Sequence, residues 1–162
     1  MRIGLIGTGL MGAPMVERAI GSGHSLIVYN RTPEKVENLR SLGAEVAISP
    51  AKAIAESDCS ILMLSDARAI EETLLSPESL PVLAGHTIIQ MGTISPSQSR
   101  SFKDAVNSAK GDYLEAPVLG SIPEASSGKA FRYSAPTLRT SFNVPHISPY
   151  ASLSERQRRV TS

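Results

Sequence analysis

The sequence predicts an α/β fold, a doubly wound parallel sheet with helices on both faces, over residues 1–129. Three observations carry this. Apolar runs of strand length alternate with segments whose apolar residues recur at helical spacing. The joins are short and marked by hydroxyl or acid caps, proline at first helical positions and glycine stops. Strand and helix in strict alternation give parallel strands with right-handed crossovers.

The elements follow in order. Arg2-Ile3-Gly4-Leu5-Ile6-Gly7 is too short for a helix and suits a strand buried on both faces. Ala13, Val16, Ala19 and Ile20 form a helical stripe, with Pro14 in the first turn and Gly21 and Gly23 at the end. Ser25 to Tyr29 is the second strand. Thr32-Pro33-Glu34 predicts a helix start with Thr32 as cap, Val36, Leu39 and Leu42 as its buried stripe and Gly43 as its stop. Glu45 to Ile48 is a strand, and Ser49-Pro50 opens a helix. Ser60 to Leu64 is a strand led in by Cys59, a core residue, and Asp66 caps a helix through Leu75. Thr87 to Met91 is a strand, and Ser95-Pro96-Ser97-Gln98 unites cap, proline and capping-box glutamine. Phe102, Ala105, Val106 and Ala109 line the last helix, Gly111 ends it, and Tyr113 to Ala116 begins a sixth strand.

The alternation stops after Lys129. Residues 130–162 hold five Arg, no Lys and one acid, Glu155, whereas residues 1–129 hold 11 Lys and Arg against 14 Asp and Glu, and all 12 glycines. Ser, Thr, Pro and Arg are scattered through the tail without a period, so it is expected to be disordered. A net charge of +1 points to neither nucleic acid nor an acidic membrane. The basic cluster Arg156, Arg158 and Arg159 does not change that. No apolar run approaches the roughly 18 residues that span a bilayer. A strand pattern from the second residue leaves no room for a targeting peptide. One cysteine allows no disulfide framework, and a reducing, cytoplasmic setting follows as the expectation. The three histidines have no ligand spacing, so no metal site is expected. Glu71 and Glu72 read as a solvated helix face.

Gly7-Thr8-Gly9-Leu10-Met11-Gly12 fits G-x-G-x-x-G between a strand and a helix, the context of a Rossmann dinucleotide site. The chemistry explains each glycine: Gly7 for the tight turn, Gly9 for approach of a pyrophosphate to bare backbone, Gly12 for close packing of helix on strand. The amides and dipole of the helix start face the anion. An NAD site places Asp or Glu at the end of the second strand to hold the ribose hydroxyls. Here that place holds Asn30-Arg31-Thr32, 18 positions after Gly12. A neutral amide, a planar guanidinium and a hydroxyl suit a 2′-phosphate, so NADP is the expected cofactor.

The extended loop Gly4-Leu5-Ile6-Gly7-Thr8-Gly9-Leu10-Met11-Gly12-Ala13-Pro14-Met15 resembles that of the β-hydroxyacid dehydrogenases, which include 3-hydroxyisobutyrate dehydrogenase, tartronate semialdehyde reductase and glyoxylate/succinic semialdehyde reductases. Ile61 to Asp66 resembles the family's fourth strand and cofactor loop, which implies cofactor contacts at Met63 and Leu64. Met91 to Pro96 resembles the segment beside the nicotinamide, with Thr93 at the cofactor. Glu115 to Ser121 resembles the substrate loop, with Leu119, Gly120 and Ser121 at the substrate. The family often carries Ser at the positions of Gly92 and Leu119. The Gly120-Ser121 pair is nearer the glyoxylate/succinic semialdehyde reductases.

The resemblance implies NADPH-linked interconversion of a small aldehyde or keto acid with a hydroxyacid. It also implies a last strand, a connecting helix bearing a proton-donating lysine, and an all-helical second domain. No lysine follows Lys129. The nucleotide domain therefore reads as incomplete at its end, with a truncated or frame-shifted tail and no catalytic residue. Two readings stand: an oxidoreductase of this family, or a non-catalytic NADP-binding fragment or pseudoenzyme.

Overall fold

The computed structural model describes residues 1–119 and 131–132. Six strands form one parallel sheet: β1 (Arg2–Ile6), β2 (Ser25–Tyr29), β3 (Glu45–Val46), β4 (Cys59–Leu62), β5 (Thr87–Gln90) and β6 (Asp112–Glu115), in the order β3-β2-β1-β4-β5-β6. Five α-helices connect them: α1 (Gly12–Gly21), α2 (Glu34–Ser41), α3 (Pro50–Ala55), α4 (Ala67–Leu74) and α5 (Pro96–Ser108). A short 3₁₀ turn, Leu80–Leu83, precedes β5. Beyond the sheet, β7 (Val118–Leu119) pairs antiparallel with β8 (Phe131–Arg132). The sequence expectation of a disordered tail and a boundary at residue 129 falls largely outside the described residues.

Alternating side chains of the central strands build two cores. Ile3 and Leu5 of β1, with Leu26 and Val28 of β2, pack with Val16 of α1 and Val36 and Leu39 of α2. Ile6 and Ile27 face the other way, toward Ile54 of α3, Ile70 and Leu74 of α4 and Phe102 and Val106 of α5. A strand apolar on both faces has nowhere to go but the middle of such a sandwich. Cys59 is buried in the first core, as its position at the head of β4 suggested.

Capping explains most helix starts. Ser49 accepts from the Lys52 amide, Asp66 from the Ala69 amide, and Ser95 with Gln98 forms the full capping box. Two expectations need correction. Thr32 is not a cap: α2 begins at Glu34, Pro33 stands at its cap position, and the Thr32 carbonyl, not its hydroxyl, receives the Lys35 amide. Gly111 follows the end of α5 rather than making it: the helix closes at Ser108, Lys110 takes the left-handed conformation at φ 64°, and a side chain at Gly111 would meet the Leu83 carbonyl at 2.6 Å. Strands β3 and β4 are also shorter than the apolar runs that announced them.

Candidate functional site

The strand order reverses at β1, whose neighbours β2 and β4 lead away in opposite directions. In a doubly wound sheet such a switch opens a crevice at the carboxyl ends of the strands. A cleft of about 680 Å³ lies there, within the range of small-molecule and cofactor sites.

Its floor is the loop from β1 to α1. Gly7 adopts φ 99°, and a β-carbon there would lie 2.3 Å from the Met63 carbonyl oxygen. Its N–H donates to the Tyr29 carbonyl at 2.9 Å. A β-carbon on Gly9 would meet nothing within 4 Å, so that face of the loop is open. Gly12 is required for a different reason from the one its spacing suggests. Its β-carbon would sit 2.0 Å from the Gly7 carbonyl oxygen and only at ordinary distance, 3.4 Å, from Leu5. The loop folds back on itself, and Gly12 is where it closes. Helix α1 then starts with no side-chain cap and no acid in its first turn. Its free amides and positive dipole end suit an anion.

The second wall is the end of β2. Asn30 Nδ2 donates to Thr8 Oγ1 at 3.0 Å, Thr8 Oγ1 donates to the Lys35 carbonyl at 3.2 Å, and Asn30 Oδ1 accepts from the Thr32 amide at 2.9 Å. Thr8 is 3% exposed and does not line the cleft. Its hydroxyl and the Asn30 amide are spent on tying the phosphate loop to the β2–α2 turn. Arg31, Thr32 and Lys35 line the cleft beyond this tie. Lys35 was not foreseen, although one helical turn from Thr32 would have reached it.

The opposite wall is the start of α4. Asp66 accepts from the Ala69 amide at 2.9 Å and from the Ser65 hydroxyl at 2.8 Å, and these bonds, the amide first, hold its carboxyl below its ordinary pKa. Glu72, read from the sequence as a solvated position, lines the cleft mouth. Its carboxylate accepts from Arg68 Nε at 2.8 Å and stands 3.8 Å from Arg31 Nη1. Both partners of the Arg31 contact are well exposed, so it is weak.

Met63 and Leu64 after β4, and Met91, Gly92 and Thr93 after β5, complete the lining, with Leu10 and Met11 beside the phosphate loop. Val118 of β7 reaches the edge of the cleft. Leu119 lies in β7, paired with Phe131, while Gly120 and Ser121 lie outside the described residues. The structure thus gathers the residues expected at a cofactor, Thr8 excepted, around one crevice.

Comparison with known proteins agrees with this geometry. Residues 2–138 match the family described as the NAD binding domain of 6-phosphogluconate dehydrogenase. The chain is 38% identical over 131 residues to 2-hydroxy-3-oxopropionate reductase of Escherichia coli, covering 79% of this chain and 44% of that protein. It is 32% identical over 130 residues to the cytokine-like nuclear factor N-PAC of Anopheles gambiae, covering 79% of this chain and 23% of that one. The structure of 3-hydroxyisobutyrate dehydrogenase from Mycobacterium tuberculosis with L-serine superposes with a TM-score of 0.76 at 26% identity, over 81% of this chain and 45% of the other. The chain spans less than half the length of each of these relatives. A six-stranded parallel sheet in this order, a glycine loop closing on itself at its switch point and these likenesses together assign the chain to the β-hydroxyacid dehydrogenase family, as its amino-terminal NAD(P)-binding domain.

Proposed function

We propose that this chain binds NADP in preference to NAD, as the nucleotide half of an oxidoreductase that interconverts a small aldehyde or keto acid with a hydroxyacid. One observation carries the cofactor choice. The end of β2 offers Arg31, Thr32 and Lys35 to the cleft and no carboxylate for a ribose diol, because Asn30 is neutral and occupied by Thr8 and Thr32. A guanidinium, a hydroxyl and an ammonium are the donors a 2′-phosphate needs. The amides of residues 9–12 and the open face at Gly9 suit the pyrophosphate, and Met63, Leu64 and Thr93 the nicotinamide side. Leu119, Gly120 and Ser121 border the substrate in this reading. The nicotinamide, when bound, supplies the hydride, and the protein orients it and excludes water. A cytoplasmic setting belongs to the same reading, since a buried unpaired thiol such as Cys59 persists in a reducing compartment.

Calorimetry with NADPH and NADH tests this. The wild type should favour NADPH by about ten- to a hundredfold, and Arg31→Ala should erase most of that margin. Equal affinities in the wild type would refute NADP preference.

A second reading, a module that holds NADP without turnover, has its own support. Residues 130–162 hold no lysine. The matched relatives also carry both an enzyme's name and a nuclear factor's name over the same domain.

A further inference from the structure

At the end of β5, Gln90 is fully buried and does not line the cleft. A polar side chain with no solvent must find partners inside the protein. Gln90 finds both on one residue: its Nε2 donates to the Gly92 carbonyl at 3.1 Å, and its Oε1 accepts from the Gly92 amide. The strand beneath is fixed on both sides, with Gln90 in register with Leu62 of β4 and Glu115 of β6. The loop above is fixed at Met91, whose amide donates to the Leu62 carbonyl at 3.0 Å. Its next residue has almost no slack, because a β-carbon on Gly92 would stand 2.8 Å from the Leu64 carbonyl oxygen.

From this we infer that Gln90 is a positioning residue for the nicotinamide half of the cofactor: its amide clips Gly92 so that Met91 and Thr93 present a fixed wall to the cleft. The inference rests on the dinucleotide reading proposed above. A primary amide of this length serves both Gly92 groups at once, donating and accepting. A carboxylate can accept from the Gly92 amide but repels its carbonyl. A protonated carboxylic acid restores a donor. The adenine and 2′-phosphate half of the ligand lies against residues 30–35 and does not sense the clip.

The experiment uses the full 162-residue chain and two ligands, NADP⁺ and adenosine 2′,5′-bisphosphate, which lacks the nicotinamide half. Near pH 5.5, Gln90→Leu should weaken NADP⁺ roughly tenfold while changing the bisphosphate by less than about twofold. Gln90→Glu, whose buried carboxyl is protonated at that pH and both donates and accepts, should keep the ratio of the two affinities near the wild-type value. Equal weakening of both ligands by Gln90→Leu, or an unchanged ratio in that variant, overturns the inference and leaves the cofactor assignment intact. Wild-type protein that binds neither ligand overturns both. Amide exchange gives an independent test that needs no variant. The Gly92 amide of the unliganded wild type should be strongly protected, and exchange at the rate of an open loop overturns the clip.

Discussion

A single methyl group separates the two roles of glycine in the phosphate loop. On Gly12 it would strike the Gly7 carbonyl at 2.0 Å, whereas on Gly9 it would meet no protein atom. Gly12→Ala should therefore lower stability by about 1–3 kcal/mol, as overpacking does, and abolish cofactor binding with it. Gly9→Ala should unfold at the wild-type temperature yet bind NADPH at least about tenfold more weakly, since only the ligand needs that space. Thermal melts paired with calorimetry separate the two, and matching losses of stability would refute the distinction. The glycine spacing was legible in the sequence because it is local. The occupation of Asn30 and Thr8 by each other, and the presence of Glu72 and Lys35 at the cleft, were not, because they depend on which loop folds against which. Cys59 shows the same dependence. Burial, and then the charge of Asp58, push its thiol up to about 11. The unfolded chain ionises this group near its ordinary pKa and the folded chain does not. Its contribution to stability is therefore complete below about pH 9 and is lost as pH rises toward 11. Thiol reagents at pH 8 should label the native protein far more slowly than the urea-unfolded chain. Asp66 has the opposite sign: its lowered pKa favours the fold above the ordinary carboxylate range, and this support goes as acid protonates it.

Among the elements, helix starts were the most readable feature, and the one failure is informative. Ser49, Asp66 and Ser95 cap as their sequences announce. Thr32 carries the same signature but follows Asn30, whose side chain takes the Thr32 amide and turns the chain before the helix can begin. A local pattern lost to a nearer hydrogen-bond partner. Ser95→Ala should cost about 1 kcal/mol in chemical denaturation, the usual worth of such a cap. Thr32→Ala should cost less than about 0.5 kcal/mol, having no cap to lose. In the NADP reading it nonetheless weakens NADPH binding. A loss of stability equal to that of Ser95→Ala would restore Thr32 to the helix. The parallel sheet and its two-sided core followed from periodicity and connection rules, whereas strand order and strand ends came only with the structure. Edge strand β3 spans only Glu45 and Val46, the Ala47 amide making a last bond to the Val28 carbonyl, and Ile48, counted into it by its apolar character, is 86% exposed.

For the whole molecule, the proposed binding role and the absence of a lysine beyond Lys129 meet in one measurement. A positioned proton donor contributes about 10²–10⁴-fold to a reduction of this kind. The purified chain should accordingly oxidise NADPH with glyoxylate, succinic semialdehyde or tartronate semialdehyde at least about a hundredfold more slowly than the ~10 per second of an ordinary enzyme. Turnover within tenfold of that rate would place a proton donor among these residues. Binding itself should be prompt. Because Thr8, Asn30 and the Thr32 amide are already joined, the two loops that receive the ligand share one frame before it arrives. The entropy of ordering them belongs to folding, not to complex formation. Association is then an encounter between a preset surface and a polyanion drawn by exposed Arg31 and neighbouring Lys35. Its rate constant should fall with ionic strength, while residence time, set by the seated contacts, carries most of the difference between one nucleotide and another.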